Sequence, residues 1–219
     1  MKVIAVTRKD IPHIAEVLTK AFVDDPIFRF IFQSPEAYAK SAPWLFASWT
    51  SWAIRYGRAW MSEDGNAVVL MRSPEHSGMS LWSMIRAGML PTPWKLGWPA
   101  FRRFYFRIVT VLDKQHAQII GDRPHWYGWM IGVKDPGKGM GRSVLNYCSD
   151  LADTMGLPIF LETATPSNLD LYQAKFFEIQ DTVKISEECS IYFMVRPAQA
   201  KAKQDLNQIR RHEPEPVSS

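Results

Sequence analysis

A glycine-rich turn between a predicted strand and a predicted helix constrains this chain more than any other feature. Residues 130–143 read Met-Ile-Gly-Val-Lys-Asp-Pro-Gly-Lys-Gly-Met-Gly-Arg-Ser, with glycine at positions 137, 139 and 141. Glycines at alternate positions remove side chains from the turn, so successive backbone N–H groups converge on one anion. The helix that begins near Gly141 adds unpaired N–H groups and the positive end of its dipole. The turn therefore predicts a site for a pyrophosphate group.

The spacing of these glycines differs from two common phosphate-binding motifs. A P-loop requires Ser or Thr directly after its Gly-Lys pair, whereas Gly137-Lys138 is followed by Gly139. A Rossmann fingerprint requires a glycine at its sixth position, and counting from Gly137 that position is Arg142. A plain tight turn without a ligand remains the alternative reading.

The segments around the turn form one strand–helix–strand unit. Residues 126–133 and 158–164 have the composition of strands, and residues 141–155 carry an apolar stripe at helical spacing. Gly156 and Pro158 end that helix in the expected order. A connection of this kind predicts that the two strands are parallel.

A second helix is predicted at residues 167–177, after the second strand of this unit. Ser167 is a candidate cap, and Asp170 three residues later completes a capping box. Asn168 and Tyr172 are four residues apart, so both project from one face of the helix. Because ligands of α/β proteins bind beside the carboxyl ends of parallel strands, both are candidate site residues. The alternatives are a buried structural tyrosine and an asparagine bonded to its own backbone.

The rest of the chain contains one unusual aromatic segment. Residues 79–118 are predicted to be helical, carry Trp, Phe and Tyr between arginines, and are cut by prolines. Residues 198–219 are polar and are predicted to form a disordered tail. The other predicted elements are strands at 2–7, 58–62, 66–72 and 189–195, a helix at 10–22 with Asp10 as candidate cap, and a helix at 36–56.

Composition bounds the class of protein and its surroundings. The chain has 219 residues, 47% of them hydrophobic and 22% charged, which suits one globular domain with a sizeable core. A net charge of +4 does not indicate a nucleic-acid partner. No segment of 18 uncharged apolar residues occurs, so we expect no membrane partner. Cys148 and Cys189 form no metal or disulfide pattern, and with no signal peptide they indicate a cytoplasmic protein without a metal.

Several short runs of residues carry a resemblance to a known family. They are His125-Trp126-Tyr127, Ile131-Gly132-Val133 and residues 136–141, followed by Leu161-Glu162-Thr163, Pro166, Asn168 and Leu171-Tyr172. In these runs residues 125–195 resemble the GNAT superfamily of acyl-CoA N-acyltransferases, in particular the branch of puromycin N-acetyltransferase. A weaker match lies at Ala21-Phe22, Asp25-Pro26 and Phe32. Two positions depart from the family: Pro136 replaces its usual Gln or Arg, and Phe176 replaces its usual glycine.

The resemblance implies an α/β (α+β) fold with a mixed, mostly antiparallel sheet and helices on both faces. Its two parallel strands splay apart to admit the pantetheine arm of acetyl-CoA, and a helical insert at 79–118 precedes the first of them. Residues 1–197 are expected to form one acyltransferase domain. The residues implied for binding acetyl-CoA are Ile131, Gly132, Val133, Lys138, Gly139, Met140, Gly141, Arg142, Ser143, Asn168 and Tyr172.

The chemistry implied is direct attack of an amine on the thioester, without a covalent enzyme intermediate. Tyr172 is the candidate general acid for the departing thiolate. The candidates for the general base are Glu162, His125 and Tyr127, or a water held by one of them. A backbone N–H near Ile131 is the candidate donor to the oxyanion. The structural alternatives are an ion pair or hydrogen-bond anchor for Glu162 and a purely structural role for His125.

The acceptor is expected to be a small, bulky or aromatic amine. This expectation rests on the aromatic insert, whose Trp82, Trp94 and Trp98 are predicted to help form the acceptor wall. Two alternatives stay open: an acetyltransferase acting on proteins or peptides, and a non-catalytic sensor of coenzyme A. Pro136 favours the sensor weakly, because proline has no N–H to give to a phosphate. The protein is expected to be a monomer or a homodimer.

Overall fold

The computed structural model describes residues 2–76, 78–137 and 139–199. Its strands are β1 (Val3–Ala5), β2 (Gly57–Ser62), β3 (Ala67–Arg72), β4 (Trp126–Val133), β5 (Ile159–Thr163), β6 (Glu178–Ser186) and β7 (Cys189–Arg196). Among the described residues these strands form one sheet in the order β1-β2-β3-β4-β5-β7-β6. The β4–β5 pair is parallel and the other neighbouring pairs are antiparallel. The prediction of a mixed, mostly antiparallel sheet is therefore confirmed.

Helices cover both faces of this sheet. They are α1 (Ile11–Ala21), α2 (Pro26–Phe32), α3 (Pro35–Tyr56), α4 (Leu81–Arg86), α5 (Thr92–Leu96), α6 (Trp98–Arg103), α7 (Thr110–Ile119), α8 (Met140–Met155) and α9 (Leu169–Gln173), with a π-helical turn at Phe104–Val109. The side chains of β3 alternate between two cores: Val68 and Leu70 face one, Val69 and Met71 the other. Helices α1 to α7 pack on the first core, and α8 and α9 on the second.

The two parallel strands separate after a short stretch of pairing. Their register runs from Trp126 opposite Ile159 to Gly128 opposite Leu161 and ends there. Strand β4 continues to Val133, still paired with β3 but no longer with β5. The predicted splay is confirmed, and it leaves a gap through the sheet.

One predicted helix and two predicted helix caps differ from the structure. The helix expected at 167–177 is a 3₁₀ turn at Pro166–Asn168 followed by the five-residue α9, and the predicted Ser167–Asp170 capping box does not form. Asp10 precedes α1 but makes no side-chain cap, because its carboxylate accepts from the N–H and hydroxyl of Thr7 instead.

Two elements were not predicted, and both have identifiable reasons. The Asp25-Pro26 pair was read only as the end of a helix, but it also starts helix α2. The Asp25 side chain caps this helix by accepting hydrogen bonds from the Ile27 and Phe28 N–H groups. Strand β6 is an edge strand whose residues are mostly exposed, so it lacks the apolar alternation that reveals a strand.

In the described part of the chain no helix is long and apolar enough to cross a membrane. Residues 200–219 of the predicted tail lie outside the described residues.

Candidate active site

A cavity of about 1470 Å³ passes through the gap between β4 and β5. On one face of the sheet it is lined by side chains of α2, α3 and the segment 79–118, including Phe28, Trp49 and Phe104. On the other face it reaches the glycine turn, the start of α8 and Tyr172 of α9. One continuous space therefore connects the predicted pyrophosphate site with the predicted acceptor side.

The open edge of β4 presents backbone donors to this cavity. The N–H of Lys134 donates to the Asn66 carbonyl, on the β3 side of the strand, at 2.8 Å. Because N–H groups alternate between the two edges of a strand, those of Ile131 and Val133 point to the edge that β5 has left. Ile131 and Val133 line the cavity, whereas Gly132 does not.

Gly132 has a packing role instead of a contact with the cavity. A Cβ atom at this position would lie 2.8 Å from Leu18 Cδ2 and 3.2 Å from Ala21 Cβ. Glycine is required here because α1 packs directly onto the β4 backbone. The contact of the Gly132 main chain with acetyl-CoA stays a prediction.

The glycine turn places the start of α8 at one end of the cavity. Gly139 precedes the helix with φ of 71°, a left-handed conformation that favours glycine. Gly139, Met140, Gly141 and Arg142 all line the cavity. Helix geometry leaves the first N–H groups of α8 without an intrahelical acceptor, so they are available to an anion.

Ser143, which was also predicted at this turn, does not line the cavity. Ser143 donates its N–H and its hydroxyl to the Gly139 carbonyl, at 3.1 and 3.3 Å, and is committed to the first turn of the helix. Lys138 lies outside the described residues.

Glu162 is the central acidic group of the cavity. Its Oε1 accepts a hydrogen bond of 2.8 Å from the Tyr127 hydroxyl, and its Oε2 is buried with no hydrogen-bond partner among the described residues. Burial raises the pKa of Glu162 to about 7, although the Tyr127 hydrogen bond and the positive charge of Arg72 oppose the shift. The group therefore gains and loses a proton near neutral pH.

Tyr127 supports Glu162 and is a poor base itself. Burial and the neighbouring Glu162 raise the pKa of Tyr127 well above its ordinary value, so the phenol keeps its proton. The Arg72 guanidinium lies 4.5 Å from the Tyr127 ring centre and 4.8 Å from that of Trp129. Glu162 thus remains as a base candidate, while Tyr127 holds and orients it.

The two histidines of this region form a hydrogen bond with each other. His125 Nδ1 lies 2.6 Å from the Arg123 carbonyl, and the two Nε2 atoms of His125 and His116 are 2.8 Å apart. A carbonyl only accepts, so Nδ1 of His125 carries the proton and its Nε2 accepts from His116. Burial lowers the pKa of His125 and brings that of His116 down to about 4, so both are neutral.

His116 lines the cavity and His125 does not. His125 is 1% exposed, and among the side chains of the described residues its hydrogen-bond contact is His116. His125, predicted as a base candidate, is therefore separated from the cavity by His116 and acts there only through it.

Tyr172 and Asn168 both line the cavity, as expected from their spacing. Tyr172 is 8% exposed, and burial, with Glu162 and Asp25, raises the pKa of its hydroxyl. The phenol is protonated at neutral pH, which is the state that a general acid needs.

The segment 79–118 forms the acceptor-side wall, but through residues other than the predicted tryptophans. Trp82, Trp94 and Trp98 are 74, 80 and 60% exposed and do not line this cavity. The predicted tryptophan wall is therefore wrong, because the three side chains face solvent and not the cavity. The side chains of this segment that line the cavity are mainly aliphatic and phenyl: Met79, Leu81, Met84, Ile85, Met89, Leu90, Phe101, Phe104, Ile108, Val109 and Leu112.

Comparisons with known proteins agree with this architecture. The chain is 24% identical over 207 residues to an uncharacterized N-acetyltransferase of Schizosaccharomyces pombe, covering 90% of this chain and 84% of that protein. The structure matches a Corynebacterium glutamicum protein described as histone acetyltransferase HPA2 and related acetyltransferase (TM-score 0.61, 22% identity, 92% and 98% of the two chains). It also matches a polyamine N-acetyltransferase of Drosophila melanogaster (TM-score 0.62, 12% identity, 90% and 99%). No family model matches the chain.

The chain is therefore similar to N-acetyltransferases over nearly its whole length and shares the fold of solved acetyltransferases. These similarities confirm the fold predicted from residues 125–195 and support the predicted GNAT superfamily. The branch of puromycin N-acetyltransferase stays a prediction.

Three residues of this cavity were missed by sequence reasoning. Arg72 ends an apolar strand, and His116 lies on a helix of the insert, so each reaches Glu162 or Tyr127 only through the tertiary fold. Asp25 accepts from Thr165 at 3.2 Å and so joins the start of α2 to the loop after β5. The weak match at Asp25-Pro26 was the available signal for the third residue.

Proposed function

We propose that this protein is an acetyl-CoA-dependent N-acetyltransferase that acetylates the primary amine of a small, bulky apolar or aromatic molecule. The amine attacks the thioester directly, with both substrates bound at once. The observation that carries this proposal is the single cavity through the splayed strands, which joins the α8 turn to an apolar chamber. Attack without a covalent intermediate requires both substrates to share such a space.

Acetyl-CoA fits the sheet-gap end of the cavity by the chemistry of its donors. The N–H groups of Ile131 and Val133 suit the amide groups of a pantetheine arm, which would extend the sheet there. The backbone of residues 139–142 suits the pyrophosphate. Asn168 and Tyr172 lie on the same side of the sheet, where the thioester would sit.

Glu162 and Tyr172 are proposed to carry the proton transfers. Glu162 accepts the proton of the attacking ammonium or of a water beside it, since its pKa of about 7 allows both states at neutral pH. Tyr172 gives its proton to the departing thiolate. The Ile131 N–H at the open strand edge stabilises the oxyanion that forms between these steps.

The acceptor class follows from the wall of the chamber. Its side chains from the insert are aliphatic and aromatic, which favours burial of an apolar body. The acidic groups that face the cavity are Glu162, Asp25, Asp113 and Asp24. An acceptor with its amino group near Glu162 and an apolar remainder against the insert suits this wall.

The cytoplasm is the proposed location. Cys148 and Cys189 are both buried and both free thiols, which suits a reducing compartment.

An acceptor panel tests the proposal. We expect release of free coenzyme A to be fastest with arylalkylamines and bulky aliphatic amines, slower with spermidine or agmatine, and slowest with lysine-rich peptides. Phe101→Ala should raise the KM of the preferred amine several-fold with little change in KM for acetyl-CoA, because Phe101 lines the chamber. Gly139→Glu serves as the control that lacks cosubstrate binding.

Two results would replace the proposal. Fastest turnover of peptides with no effect of Phe101→Ala would favour the protein acetyltransferase. Binding of acetyl-CoA by calorimetry without turnover of any amine class would favour the sensor of coenzyme A.

A further inference from the structure

The segment 79–112 exposes a set of large apolar side chains around the mouth of the cavity. We call this set the aromatic rim. Its members are more than a third exposed and comprise Leu81, Trp82, Ile85, Leu90, Trp94, Trp98, Tyr105 and Phe106. Trp94 at 80% and Trp98 at 60% exposure are far outside the range usual for tryptophan in a soluble protein surface. A patch of this kind marks a contact surface.

The rim is continuous with the cavity wall. Leu81, Ile85, Leu90 and Tyr105 are exposed and also line the cavity, so they lie at its mouth. Ring contacts continue outward: the ring centres of Trp98 and Phe101 are 5.7 Å apart, those of Phe101 and Tyr105 are also 5.7 Å apart, and those of Tyr105 and Phe106 are 5.3 Å apart. Whatever covers the rim therefore also faces the opening of the cavity.

The charge of the same segment is of one sign. Residues 79–112 contain five cations and no Asp or Glu. Arg86, Lys95, Arg102 and Arg107 are exposed, and Arg103 donates to the Ile31 carbonyl at 2.7 Å. The occupant of the rim must therefore offer both an apolar interior and negative charge.

We propose that the aromatic rim docks the protein on the surface of an anionic lipid bilayer, with the mouth of the cavity toward the lipid. Tryptophan, tyrosine and leucine between arginines and lysines are the side chains that a membrane interface favours. The rim is carried by the short helices α4 to α6, by Leu90 between α4 and α5, and by the π-helical turn at Phe104–Val109. Anionic headgroups neutralise the exposed cations.

This surface is suited to lipid more than to a second copy of the chain. Two rims in contact would bring like charges together without acids to balance them. The expectation of no membrane partner rested on the absence of a spanning segment, and peripheral docking needs none. The docking can be tested apart from the proposed acetyl transfer, since Trp94, Lys95, Trp98 and Arg102 of this segment do not line the cavity.

Co-sedimentation with vesicles tests the docking. The full chain is mixed with vesicles of phosphatidylcholine alone or of phosphatidylcholine and phosphatidylglycerol in equal parts. We expect binding to the anionic vesicles and at least about tenfold weaker binding to the neutral ones, with a loss as salt rises. Trp94→Ala/Trp98→Ala and Lys95→Gln/Arg102→Gln should each weaken binding about tenfold or more.

Matched controls lie elsewhere on the surface. Met155→Ala removes a side chain that is 46% exposed on α8, and Lys9→Gln removes an exposed cation near the N-terminus; neither should change vesicle binding. Circular dichroism checks that each variant folds. No binding to the anionic vesicles, or equal binding by rim and control variants, overturns the proposal. Conversion of a dimer to a monomer by Trp94→Ala/Trp98→Ala also overturns it, because the rim would then join two copies.

Discussion

At the scale of single residues, the proposed base Glu162 should set how activity depends on pH. Its carboxylate is the form that accepts a proton, and its pKa is raised to about 7, so kcat/KM should rise as pH increases through about 7. Glu162→Gln should remove this limb of the profile and lower kcat about a hundredfold or more. The measurement is kcat/KM for one amine between pH 5.5 and 9.

Tyr127→Phe is the matched control for this profile. It removes the hydrogen bond that lowers the pKa of Glu162, so the limb should persist and move to higher pH. A Glu162→Gln enzyme that keeps the limb unchanged would assign it to another group.

Stability gives a second readout, which should change with pH in the direction opposite to activity. Folding raises the pKa of Glu162 above its ordinary value of 4.5, so the folded state binds the proton more tightly. The stability of wild type relative to Glu162→Gln should therefore fall as pH rises from about 4.5 to 7.

The residues of the cavity differ in how far the sequence reveals them. Glu162 and Tyr172 lie in short runs that follow the glycine turn in sequence. The residue types and the family resemblance of these runs mark them as candidate site residues. Arg72 and His116 belong to the site only because β3 and α7 are brought beside β4, and nothing local marks them. The exposure of Trp94 and Trp98 was not predictable either, since tryptophans in a helical segment usually pack inward.

At the scale of elements, the backbone just after α9 adopts a strained conformation at a phenylalanine. Phe176 has φ of 66°, is 63% exposed, and follows Gln173, whose carbonyl accepts its N–H at 3.0 Å. A left-handed conformation costs a residue with a Cβ about 1–2 kcal/mol, whereas glycine adopts it freely. Phe176→Gly should therefore raise the free energy of unfolding by about 1 kcal/mol, measured by urea denaturation.

Gly156 provides the reverse comparison. It ends α8 with the same φ of 66°, and an added Cβ would meet no atom within 4 Å. Gly156→Ala should thus lower stability by about 1 kcal/mol through conformation alone. A Phe176→Gly protein less stable than wild type would show that the exposed ring contributes more than the strain costs.

Elements were predictable where a local pattern fixes them. The glycine turn, α8 and the parallel pair follow from residues that are adjacent in sequence, and the hairpin of β2 and β3 follows from its turn composition. Strand β6 forms because it pairs with the free edge of β7, so its own exposed residues give little indication of a strand. The helix after Pro166 is shorter than expected because a 3₁₀ turn takes its first three residues.

At the scale of the whole molecule, one buried ion pair ties the last strand of the described chain to the cofactor-side helix. Arg196 at the end of β7 and Asp153 near the end of α8 form two contacts of 2.6 and 2.8 Å, and their side chains are 5 and 3% exposed. Arg196 also donates to the Lys175 carbonyl beyond α9, and Asp153 accepts from the Gln199 N–H. The pair therefore joins the sheet, both helices of the second core and the residues that follow β7.

Breaking this pair from one side should destabilise the molecule strongly. Asp153→Ala leaves a buried guanidinium without its carboxylate, which costs about 3–5 kcal/mol of unfolding free energy. Replacing both partners, as Asp153→Leu/Arg196→Met, removes both buried charges and should restore most of that loss. The exposed pair Lys184–Glu187, with 58 and 90% exposed side chains, is the control, and Glu187→Ala should leave stability unchanged. Urea unfolding of these three variants and of wild type checks this order. A double variant as unstable as Asp153→Ala would show that the pair's hydrogen bonds to the backbone, more than its charges, hold the two layers together.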